Sequence, residues 1–212
     1  MTGHAERGIL TSGEIVIINS NESFASKPFE ERLRLGKLCE AQMFENLKSI
    51  GYYLKPATKH EDIELKIDGY LSNDQHLYIP FQSKYRQTGI DIGLDVWEPW
   101  FGPNDPRNGV GRDYKSKAEL YVTQVNDQLY VMHRTGLHLI VDQTFYEWKN
   151  HNHKFHFGDG ISRGTFNPSI QGVQLKLKVD ESNRKTKIIV YISPTSVDEN
   201  YRLVRTVKPI II

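Results

Sequence analysis

Apolar residues that recur every three or four positions mark the first element of the chain. In residues 29–50 (FEERLRLGKLCEAQMFENLKSI), Gly36, Cys39, Met43, Leu47 and Ile50 fall on one face of a helix, and Gly51 stands just past the last periodic position, where helices end. A second helix is predicted over 136–149, with Leu137, Ile140, Val141, Phe145 and Trp148 on its inward side. Elsewhere the period drops to two. Strands are predicted at about 61–71 and 76–85, at 118–124 and 128–134 about a Val-Asn-Asp turn, and at 171–180 and 186–193 about the polar turn ESNRK. Residues 14–18 (EIVII) read as a short strand between a loose polar segment, 1–14, and a loop, 20–28. Residues 86–112 are rich in Gly, Pro, Asn and Asp and are expected to be a loop insertion.

This order predicts an α/β fold. Its central mixed sheet is built from the strands at about 61–71, 76–85, 118–124 and 128–134 and is flanked by the helices 29–50 and 136–149, with an additional C-terminal β-hairpin. A chain of 212 residues is expected to form one domain, with a core at about 29–150, an insertion at 86–112 and a hairpin extension at 165–212. The net charge of +1, from 27 Lys+Arg against 26 Asp+Glu, neither requires nor excludes a nucleic-acid partner, because a local basic stripe is hidden in such a sum. A lone Cys39 excludes a disulfide framework and a cysteine-rich zinc module. The N-terminal residues carry no basic segment leading into an apolar run, so a cytoplasmic location is expected.

Two polar clusters change the picture. Glu40 falls inside the apolar stripe of the first helix, where an ion left unpaired costs several kcal/mol. It therefore needs a cation, a hydrogen-bond network or a metal, or else it lies at the stripe's edge beside Lys37 or Arg34. In residues 62–68 (DIELKID), Ile63, Leu65 and Ile67 alternate with Asp62, Glu64, Lys66 and Asp68, which collects carboxylates on one strand face ahead of Gly69. On the next strand Gln82 and Lys84 share a face, and Phe81 and Ser83 share the other.

Together, residues 34–71 (RLGKLCEAQMFENLKSIGYYLKPATKHEDIELKIDGYL) and 81–84 (FQSK) resemble the PD-(D/E)XK nuclease superfamily, and more narrowly its Holliday-junction-resolvase-like members. In that family a helix supplies a glutamate, one strand an aspartate and the neighbouring strand an acidic-x-lysine pair. The resemblance covers about residues 30–86 and departs from the pattern at Gln82, where Glu or Asp is typical, although some members use Gln-x-Lys. It implies a restriction-endonuclease-like core with Glu40, Asp68, Gln82 and Lys84 as catalytic residues. Asp68, Gln82 and Glu40 would hold Mg2+, for which Mn2+ can substitute. Lys84 would orient the attacking water or stabilise the transition state of phosphodiester hydrolysis. The implied activity is that of an endodeoxyribonuclease acting on branched DNA as a homodimer. A sequence-specific restriction or transposon-end nuclease and a non-cleaving DNA-binding module are the alternatives.

Candidate DNA contacts are Arg86, Arg107, Arg112, Lys115 and Lys117, interleaved with Trp97, Trp100, Phe101 and Tyr114, a mixture suited to phosphate contact and base stacking. The aromatics serve equally to pin a long loop. A second basic group, Lys176, Lys178, Arg184, Lys185 and Lys187, is either an arm for DNA or a charged exposed edge. The histidines of residues 151–156 (HNHKFH), with His133 and His138, read as a polar loop after a helix rather than a zinc site.

Overall fold

The computed structural model describes residues 7–9, 15–17, 28–84, 92–98, 109–110, 112–150, 164–180 and 185–210. Helix α1 (Phe29–Ser49) carries Leu35, Cys39, Met43 and Leu47 at four-residue spacing, all with no exposed surface. Glu30 and Glu31 in its first turn and Lys48 in its last complement the helix dipole. It ends as expected: Gly51 takes φ 97°, and the N–H groups of Gly51 and Tyr52 return to Lys48 O and Leu47 O.

Three short strands follow α1: β3 (Tyr53–Pro56), β4 (Gly69–Ser72) and β5 (Ile79–Ser83). They are joined antiparallel, and β5 then pairs in parallel with β8 (Leu120–Val125). A tight hairpin, with Asn126 at φ 54°, leads into β9 (Gln128–His133), and β13 (Arg202–Thr206) closes the sheet. The result is a mixed six-stranded sheet in the order β13-β9-β8-β5-β4-β3. One face packs on α1 through Met43, Leu47, Leu71, Phe81, Val122, Leu129 and Val131. The other face, represented by Tyr121 and Met132, packs against α3 (Arg134–Asn150) and a second sheet.

That second sheet corrects two expectations. The stretch 86–112 was expected to be a loop, yet it contains β6 (Ile92–Glu98), whose Ile92, Leu94 and Val96 are buried. Flanking Gly, Pro and Asn masked this period-two run. The C-terminal hairpin, β11 (Val173–Asp180) and β12 (Lys185–Ile192), is no appendage: β12 pairs antiparallel with β6. With β7 (Gly109–Val110) and β10 (Gly164–Phe166) these strands form a five-stranded sheet in the order β10-β11-β12-β6-β7. Residues 7–9 also depart from the expected loose segment, since β1 (Arg7–Ile9) pairs antiparallel with β2 (Ile15–Ile17).

The expected strand at 61–71 is only partly a strand. Residues Glu61–Leu65 form a π-helical turn, and Lys66 follows in the left-handed region at φ 56°. The cause is a capping box: Thr58 N–H donates to Glu61 Oε2 at 2.7 Å, and Glu61 N–H donates to Thr58 Oγ1 at 3.3 Å. Tyr70 Oη adds a 2.6 Å bond to Glu61 Oε1. These bonds favour a helical turn over the alternating pattern, so Ile63 stays 47% exposed while Ile67 is buried.

Among the described residues no helix is long and apolar enough to cross a membrane. At Gly69 the neighbours of β4 come close: a Cβ there would lie 2.8 Å from Lys55 O and 2.9 Å from Phe81 Cε1. Gly69→Ala is expected to destabilise the fold by about 1–3 kcal/mol, because backbone on one side cannot give way. Chemical denaturation checks this, and a wild-type midpoint would contradict the close packing.

Candidate functional site

The antiparallel pairing of β4 with β5 sets the start of one strand beside the end of the other, and Asp68 and Ser83 meet there. Asp68 is fixed by its backbone, its N–H donating to Phe81 O at 2.9 Å and its carbonyl accepting from Ala57 N–H at 3.2 Å. Its carboxylate replaces a rung of the sheet ladder: Asp68 Oδ2 accepts both the N–H and the hydroxyl of Ser83, each at 2.6 Å. Ser83 shares a face of β5 with Phe81, whose ring meets Phe44 of α1 at 5.4 Å between centroids. Glu40 of the same helix therefore comes within reach, and Ser83 Oγ lies 3.1 Å from Glu40 Oε1.

A serine has one hydroxyl hydrogen, so it donates to one of these carboxyls at a time. The second contact is satisfied when one of the two acids is protonated, and both carboxyls are shifted in that direction. Burial, and next the charge of Asp68, push the Glu40 carboxyl above its ordinary range, although the Ser83 hydrogen bond opposes them. Burial also raises Asp68, against the lowering effects of the two Ser83 hydrogen bonds and the Lys84 charge. Asp62, on the π-helical turn, adds repulsion to both.

Gln82 and Lys84 alternate to the other face of β5. Gln82 stands in register with Tyr121, a member of the core shared with the second sheet. It is 6% exposed, and its buried Oε1 has no hydrogen-bond partner among the described residues. An unsatisfied buried acceptor costs about 1–3 kcal/mol. Lys84 continues the parallel ladder, its N–H donating to Val122 O at 2.8 Å. Its ammonium pairs with Asp113 Oδ1, and both side chains are largely buried.

The structure thus brings Glu40 and Asp68 onto Ser83, sets Lys84 within electrostatic range of Asp68, and gives Gln82 a buried oxygen that no described residue engages. Two of these groups were not legible in the sequence. Ser83 was visible only as the middle of Gln-x-Lys. Asp113, in the short helix α2 (Arg112–Lys115), was visible only as the one acid in the basic run 112–117 (RDYKSK).

Of the candidate DNA contacts, Arg86 and Arg107 lie outside the described residues, as do Trp100 and Phe101 and the histidines of 151–156. Arg112 begins α2, and Lys115 and Lys117 are exposed. Their segment is pinned to the turn that precedes Asp68, because Lys117 N–H donates to Leu65 O at 2.8 Å and Ser116 Oγ donates to Lys66 O at 2.7 Å. His133 and His138 have local roles. His133 Nδ1 accepts from Thr135 N–H at 3.2 Å at the start of α3, and Arg134 Nε donates to His138 Nε2 at 3.3 Å.

Among the described residues no three His, Cys, Asp or Glu side chains form a metal cage. No protein-family model, curated protein or solved structure matches this chain.

The raised carboxyls fix a pH dependence. Glu40 and Asp68 hold protons more tightly in the folded chain than in the unfolded one, so stability falls as pH rises from the ordinary carboxylate range, about pH 4, through the raised values. Asp68→Asn removes one of these charges and keeps an acceptor for Ser83. In the presence of a chelator the variant is expected to melt above wild type at neutral pH, with the difference vanishing below about pH 3, where Asp68 is protonated in both states. Melting curves across pH test it; a constant offset at every pH would contradict the assigned origin.

Proposed function

We propose that this chain is a magnesium-dependent endodeoxyribonuclease built on a restriction-endonuclease-like core, with branched or otherwise structured DNA as its substrate and a homodimer as its working form. The observation that carries the reading is an excess of negative charge. Glu40 and Asp68 are drawn from α1 and the start of β4 onto a single hydroxyl, with no ion pair of their own among the described residues, while Lys84 is engaged by Asp113. Two repelling, partly buried carboxyls suit a divalent cation.

The donor set fits magnesium in particular. This ion is held by one or two carboxylates, keeps several waters and binds substrate phosphate, so it needs no all-protein cage. Asp68 and Glu40 are the carboxylates that would hold it, and Gln82 Oε1 is a buried oxygen with no partner among the described residues. When bound, the ion supplies positive charge to the phosphoryl oxygens and lowers the pKa of water. The protein supplies the rest. Ser83 orients Asp68 through two hydrogen bonds, and Lys84 offers an ammonium beside Asp68 to stabilise charge that builds on the phosphate or to orient the attacking water. Exposed Lys115 and Lys117 are suited to the phosphates that flank the scissile one. The mixed sheet, with α1 on one face and α3 on the other, supports the proposed core.

A second reading, a DNA-binding module that does not cleave, is favoured by the Lys84–Asp113 pair, which occupies the ammonium.

Purified protein with Mg2+ or Mn2+ is expected to cut a four-way junction in preference to flap, linear duplex and single strands. Salt-dependent binding without cutting would favour the second reading. Lys84→Ala, compared at equal amounts of folded protein because it leaves the buried Asp113 carboxylate without its ammonium, is expected to lower the cleavage rate by about 10²–10⁴-fold, and full activity in that variant would sink the site. Gln82→Glu is expected to keep or improve Mg2+ affinity, as read by calorimetry. Weaker binding would remove Gln82 from the ligand set.

A further inference from the structure

Asp113 is engaged by three strands at once. It is 2% exposed, and its two carboxylate oxygens are divided between two strands of different sheets. Oδ1 takes the ammonium of Lys84, at the end of β5 in the first sheet. Oδ2 accepts the N–H of Asp95, in β6 of the second sheet, at 2.7 Å. The backbone carbonyl of Asp113 accepts Tyr121 Oη at 3.0 Å, which ties α2 to β8. A surface ion pair would leave the lysine free to sample many rotamers. This one holds it, because Lys84 is 12% exposed and its partner is fixed at three points.

We infer that Asp113 is the positioning residue for Lys84 in the proposed cleavage reaction, and that β6 of the second sheet, through the Asp95 N–H, sets where the Lys84 ammonium stands. The inference rests on the nuclease reading. It makes the second sheet part of the site rather than a neighbouring layer. A phosphate entering beside Asp68 would meet an ammonium already oriented, with little rotamer freedom left to lose.

The experiment compares wild type, Lys84→Ala, Asp113→Asn, Asp113→Glu and the double variant Lys84→Ala/Asp113→Asn on the DNA substrate that wild type cuts best. The Lys84 ammonium resonance is followed in the metal-free protein. Asp113→Asn is expected to lower kcat by roughly 10–100-fold with KM unchanged, in line with the cost of misplacing a reacting group by about 1 Å. The double variant should be no slower than Lys84→Ala, since Asp113 acts through the lysine. Asp113→Glu keeps the charge, so it folds even if the Asn variant leaves a buried ammonium unpaired and does not. It is expected to restore the slowly exchanging ammonium signal that Asp113→Asn loses and to recover part of kcat. Wild-type kcat in Asp113→Asn, failure of Asp113→Glu to recover either kcat or the ammonium signal, or additive losses in the double variant, would overturn the role of Asp113 while leaving the nuclease reading intact. Wild-type protein that cuts no substrate would overturn the nuclease reading, and the catalytic role of Asp113 with it, even if the ammonium signal still depends on Asp113.

Discussion

The parallel pairing of β5 with β8 is the constraint from which the rest of the architecture follows. Antiparallel neighbours are joined by a tight turn, but a parallel pair requires the chain to leave the sheet and return to its starting end. Here the excursion after Lys84 includes β6 in a second sheet and returns through α2. It does three things at once. It delivers Ile92, Leu94 and Val96 to the core beneath the first sheet, it gives the C-terminal hairpin a strand to pair with, and it carries Asp113 back to Lys84. The C-terminal end of β5, where the excursion begins, is also where Asp68 and Glu40 converge.

Charge is concentrated at this point against the tendency of a folded chain to keep ions in water. An uncompensated buried ion costs several kcal/mol, a large part of the ~5–15 kcal/mol by which a typical domain is stable. The chain handles its ions in two ways. Asp113 is fully provided for, with an ammonium and a backbone N–H on its two oxygens. Glu40 and Asp68 are not: they share one serine, repel each other and are held partly toward their neutral forms. Gln82 adds a buried oxygen with no donor among the described residues. Polar groups left in this condition lower stability.

Much of the frame could be read from residue patterns. The stripe of α1, the glycine that ends it, the β8–β9 and β11–β12 hairpins and α3 all follow from local periodicity and turn chemistry, and they stand close to where these place them. Two failures are instructive. Residues 61–65 alternate as a strand should, yet Thr58 and Glu61 satisfy each other's backbone N–H groups and turn the segment into a π-helical turn. Residues 92–98 alternate too, but lie among glycines and prolines, and became a strand because β12 offered a partner. Alternation establishes what a segment can do; the available hydrogen-bond partners decide what it does.

The amino-acid sequence by itself determined the two long helices and most strands, because these depend on interactions spanning a few residues, and it singled out Glu40, Asp68, Gln82 and Lys84 as candidates by side-chain type. Tertiary structure decided how those groups are shared out. Asp68 reaches Ser83 over 15 positions, Glu40 reaches it over 43, and Lys84 meets Asp113 over 29. Such contacts are set by strand register and by the path of the crossover, and a local pattern carries neither. A strand's alternation could put Ser83 and Lys84 on opposite faces. Only the assembled sheets could bring Glu40 and Asp68 to one serine and Lys84 to Asp113.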